Sequence, residues 1–92
     1  MNHDETMTRL LGLRAHASSL KTLALQAYDN WKSVSALVDE CFKTKSSQLG
    51  QVIHLRSEAL DLYLGLNQDY NDAMTELAYF EMKIAATGCD EA

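Results

Sequence analysis

The stretch LLGLRAHASSLKTLALQAYDNWKSVSALVDEC, residues 10–41, decides the fold. Leu10, Leu13, Ala17, Leu20, Ala24, Ala27, Trp31, Val34, Val38 and Cys41 recur at alternating steps of three and four. Every one of these positions is apolar or small, which is the pattern of a helix with a coiled-coil-type seam. Asn2 with Glu5, or Asp4 alone, can cap its start. A helix over about residues 4–43 is predicted, roughly 60 Å long at about 1.5 Å per residue.

The pattern breaks at Lys43-Thr44-Lys45-Ser46-Ser47. The two lysines suit the carbonyl end of the first helix. The hydroxyls of Thr44, Ser46 or Ser47 can cap the next one. A second heptad then runs through Leu49, Val52, Arg56, Ala59, Tyr63, Leu66, Tyr70, Ala73, Leu77, Phe80 and Ile84. Only Arg56 among them is neither apolar nor aromatic. Gly88 is a natural left-handed cap at its end. The fold class expected is therefore all-α: a long antiparallel two-helix hairpin, about 4–43 and 47–87, in a single domain spanning 1–92. Residues 1–3 and 88–92 are expected to fray.

Folding the chain about residue 45 sets a register. Trp31 then faces Ala59, Ala27 faces Tyr63, Ala24 faces Leu66, Leu20 faces Tyr70 and Leu10 faces Phe80. Large residues meet small ones, as close packing requires. Ala17 against Ala73 is the thin layer. The competing fold is a three-helix bundle with a break near 65–69, where Gly65 offers a C-cap and Asn67 and Asp69 offer N-caps. The thiols separate the two. In the hairpin Cys41 and Cys89 lie at opposite ends, far beyond the roughly 7 Å Cα limit for a disulfide; in the bundle they come together. The hairpin reading makes both thiols reduced, one packed and one on a tail.

The chain has 92 residues, no proline, 47% apolar side chains and a net charge of −5. That is one domain with enough apolar content to fold. Charge divides unevenly. Residues 1–45 carry six basic and five acidic side chains, net +1, and residues 46–92 carry two basic and eight acidic, net −6. The second half repels phosphate backbones, so direct nucleic-acid binding is not expected. No stretch reaches the roughly 18 apolar residues of a membrane span, and the polar, acidic N-terminus lacks a signal-peptide pattern. A cytoplasmic address follows as the expectation.

One apolar stripe per helix does not account for the remaining apolar residues. Leu11, Leu23, Leu25, Tyr28, Leu37 and Phe42 lie outside the first seam. Ile53, Leu55, Leu60, Leu62, Leu64 and Met74 lie outside the second. Ile53, Leu55, Leu60, Leu62, Leu64 and Leu66 are read as a self-association surface, giving a homodimer built as a four-helix bundle. Arg56 is read as a seam charge that sets register or partner choice. Glu58, Asp61, Asp69, Asp72 and Glu76 form the candidate acidic face toward a partner.

Chemistry-bearing patterns are scarce. The glycines stand alone, with no phosphate loop and no nucleophile elbow. No metal, cofactor or catalytic residue is assigned. The expected function is a non-enzymatic helical interaction protein, an adaptor, small chaperone or regulatory subunit that binds itself and a larger protein. The alternative is a small acidic inhibitor, phage or mobile-element encoded, that blocks a basic nucleic-acid-binding surface. A third reading places a planar ligand among Tyr63, Tyr70 and Arg56. In length and plan the chain resembles the small secreted WXG-type helical hairpins. That family carries Trp-x-Gly at its turn, whereas Trp31 here is mid-helix, so the resemblance is architectural and no function carries over.

Overall fold

In a computed structural model that describes residues 3–87, the chain forms two helices, α1 (His3–Lys43) and α2 (Leu49–Thr87). They pack antiparallel along their whole length in a rod of 68 × 16 × 13 Å. The radius of gyration is 20.3 Å, against about 12 Å for a compact domain of this length. His3, expected to fray, is the first helical residue. Asn2, Gly88 and Cys89, with the roles expected of them, lie outside the described residues. No helix among those described is long and apolar enough to cross a membrane.

Every position of both heptads is buried or half-buried, because a repeat of about 3.5 residues keeps one stripe of each helix on its neighbour. The register is that of folding about residue 45. Val38 and Cys41 pack against Val52 and Leu49 beside the turn. Tyr28 meets Tyr63 at mid-length. Near the open end the Arg9 guanidinium lies 5.2 Å from the centre of the Phe80 ring. Ala17 and Ala73, the thin layer, are both buried.

The three-helix alternative does not form. α2 runs unbroken through 65–69, and no described glycine has positive φ. Gly65 therefore keeps right-handed helical geometry and caps nothing. Tyr63, Leu66, Tyr70 and Ala73 hold the seam phase across the segment, and the Gln68 side chain donates to Asp72 Oδ1 at 2.9 Å. Continuous burial of that stripe outweighs the roughly 1 kcal/mol cost of one helical glycine.

The turn ends α1 by a Schellman motif. Ser46 N–H donates to the Cys41 carbonyl at 2.9 Å, and Lys45 N–H to the Phe42 carbonyl at 3.3 Å. Lys45 takes the left-handed position, φ 54°, that glycine usually fills. Ser46 Oγ then accepts the Gln48 N–H at 3.1 Å, satisfying a free donor of the next helix. Regular α2 starts at Leu49 rather than 47 because the turn and this cap use Thr44 to Gln48. Lys45→Gly should stabilise the hairpin by up to ~1 kcal/mol in urea unfolding, and Lys45→Val should destabilise it, since only glycine enters this region without cost.

Candidate functional site

The hairpin leaves much unburied. Among the described residues no side chain is less than 2% exposed. Thirteen large apolar side chains among those residues are exposed, Phe42 at 72% and Met82 at 69% the most. On each helix the residues beside the seam fall on two opposite flanks.

One flank carries tyrosines. Tyr28 contacts Trp31 at 5.8 Å and Tyr63 at 5.2 Å between ring centres, and the Lys32 ammonium lies 5.5 Å from the Tyr28 ring centre. Tyr28, Tyr63 and Tyr70 with Lys21 and Asn67 line a groove of about 280 Å³ above Ala24. The same flank continues into a second groove of about 260 Å³ between Arg14, Ala17 and Met74. The hollow exists because alanines on α1 oppose large rings on α2. Leu25 also lines it and is exposed. Tyr28 was legible only as an apolar residue outside the seam. Its spacing from Trp31 and its level opposite Tyr63 are the signals of a ring cluster.

The other flank carries leucines. Leu23 and Leu37 of α1 and Leu55 and Leu62 of α2 are each about half exposed. Between His16 and Glu40, the α1 residues on this flank are Ser19, Leu23, Gln26, Asn30, Ser33 and Leu37, none of them charged.

The six residues read as one self-association surface are therefore divided. Leu66 belongs to the seam, half-buried; Ile53, Leu60 and Leu64 lie on the tyrosine flank, and Leu55 and Leu62 on the leucine flank. The acidic residues Glu58, Asp61, Asp69, Asp72 and Glu76 are all exposed. Three of them have partners on their own chain: Glu58 with His54 at 3.0 Å, Asp72 with Gln68, and Glu76 with Arg9 at 3.9 Å. Arg14 and Glu81 form a further pair at 3.3 Å. Such exposed pairs contribute little to stability; Arg9–Glu76 and Arg14–Glu81 place charge on opposite flanks near the open end, and His54–Glu58 lies in the loop half.

Tyr63 and Tyr70 share the groove, and Arg56 is not among its lining residues. Each hollow falls below the roughly 300–1,000 Å³ of small-molecule sites. Cys41 is a buried free thiol. No three His, Cys, Asp or Glu side chains converge among the described residues.

Comparison with protein-family models, curated proteins and solved structures finds no match to the chain.

Arg56 is half-buried at its seam position, and among the described residues it makes no ion pair. Its aliphatic stem covers the seam while the guanidinium reaches water. Arg56→Leu should raise unfolding stability by about 1 kcal/mol, because a leucine there buries apolar area without a charge to solvate. A fall in stability in urea would mean the guanidinium holds a partner.

Proposed function

We propose that this chain is a non-enzymatic helical interaction protein, an adaptor, small chaperone or regulatory subunit. It acts in the cytoplasm by associating with itself, as a four-helix bundle, and by binding a larger protein. The observation that carries this reading is the pair of exposed apolar flanks on a rod with no fully buried side chain among the described residues. The chain exposes 6767 Å², against about 5,400 Å² for a compact monomer of its mass. The excess is more than the roughly 800 Å² each partner contributes to a stable interface. Burying one leucine is worth about 1.5–3 kcal/mol, so several exposed leucines in one stretch give a strong drive to associate.

The inhibitor reading draws on the exposed acidic face, of which Asp61 and Asp69 make no ion pair among the described residues. It predicts capture of a basic target that weakens steeply with salt, whereas apolar docking responds little.

Light scattering tests the main reading. We expect a solution mass of two chains or a higher multiple at micromolar concentration, little changed between low and high salt. A monomer under both conditions would remove the self-association reading.

A further inference from the structure

We propose that the two unlike flanks bind each other. The tyrosine flank of one chain takes the leucine flank of a second copy, laid over it with its turn at the opposite end. This rests on the self-association reading above and says which surfaces perform it.

Charge selects the pairing. A symmetric contact sets a flank on itself. Midway along the tyrosine flank the charges are Lys21, beside the groove, and Lys32, over the Tyr28 ring. Along the leucine flank they are Glu58, Asp69 and Asp72, all exposed. Either flank set on itself gathers charge of one sign around its leucines, and like charges brought together in an interface oppose binding. The tyrosine flank set on the leucine flank joins cations to anions instead, and one kind of contact covers the apolar residues of both flanks.

The heptads select the placement. The lysines are on α1 and the acids on α2, so α1 of one copy has to lie over α2 of the other. That turns the second hairpin end for end and makes the overlying helices run parallel. Each α1 residue then meets an α2 residue a fixed number of positions further on, and each α2 residue meets an α1 residue the same number back. An offset of 37 sets Lys21 on the second copy's Glu58 and Lys32 on its Asp69, with Leu25 on its Leu62 and Phe42 on its Tyr79. The same offset sets Leu60 on the second copy's Leu23, Met74 on its Leu37 and Asn67 on its Asn30. Asp39 comes to the level of the second copy's Glu76, which its own Arg9 holds. A slip of one heptad sets Lys21 on Gln51 or Gly65 and Leu25 on Leu55 or Asp69, so both ion pairs of this register are lost. The overlap is about 55 Å long at 1.5 Å per residue and 16 Å wide. Its footprint of roughly 880 Å² matches the ~800 Å² per partner of a standard interface. Each added copy presents a fresh flank, so the assembly grows beyond two chains.

Complementation between variants tests this. Leu25→Glu with Leu64→Glu puts acids on the tyrosine flank, where acids arrive. Leu23→Lys with Leu62→Lys puts cations on the leucine flank, where cations arrive. All four side chains are exposed in the hairpin, so helical circular dichroism should be kept. By light scattering each variant alone should be a single chain at concentrations where the unmodified chain exceeds two. Mixed one to one, they should form a two-chain particle and nothing larger, because the first keeps its leucine flank and the second its tyrosine flank. A variant that still associates with itself, or a mixture that stays at one chain, overturns the pairing of unlike flanks. Cysteines test the placement in a Cys89→Ser background. Leu25→Cys with Leu62→Cys should give a ladder of covalent multimers on mild oxidation, since the two positions lie on opposite flanks of one chain. Leu25→Cys alone, or with Asp72→Cys, should not. A missing ladder, or one that also forms in either control, overturns the offset of 37. A monomeric unmodified chain removes the self-association reading itself, and is told apart from these by being seen before any substitution.

Discussion

Alanine in the seam is the constraint from which the rest follows. Of the ten buried apolar residues among those described, five are Ala17, Ala24, Ala27, Ala59 and Ala73. Small residues let two helices approach closely, and a long seam of modest contacts holds a rod that no central core could. The same choice limits burial. Tyr28, Trp31, Tyr63 and Tyr70 lean across alanines and remain half-buried, and the leucines one position outside the seam have no third helix to cover them. A two-helix layer buries one stripe of each element, and these helices carry apolar residues well beyond one stripe.

The apolar excess is not spread evenly. At the open end, Arg9 with Glu76 and Arg14 with Glu81 place charge on both flanks. At the turn, Val38, Cys41, Leu49 and Val52 close a small apolar cluster. Between them the two flanks differ in kind. One has tyrosine rings, a groove and lysines; the other bears leucines, is uncharged along α1 between His16 and Glu40, and carries Glu58, Asp69 and Asp72 along α2.

The turn shows how local chemistry supports the global pairing. Thr44 through Gln48 satisfy the carbonyl end of α1 and the amide end of α2 with a Schellman motif and a serine cap. Lys45 sits in a left-handed conformation that its side chain does not favour. The seam tolerates this because tens of residues on each side agree on one register, so a local cost of ~1 kcal/mol is offset by packing along the rod.

The sequence by itself determined the two helices, their antiparallel pairing and their register, because a heptad held over ten positions in one helix and eleven in the other leaves one stripe to bury. It also showed that apolar residues exceeded what that stripe could cover. It did not determine how the excess is arranged. Ile53, Leu55, Leu60, Leu62 and Leu64 are near neighbours in the chain, yet at about 100° per residue they turn to opposite sides of α2, and only packing against α1 shows which side each joins. Tyr28 joins Trp31 and Tyr63, and Leu23 shares a flank with Leu62, for the same reason. A surface made by two helices is a property of their pairing, and no single stretch of chain contains it.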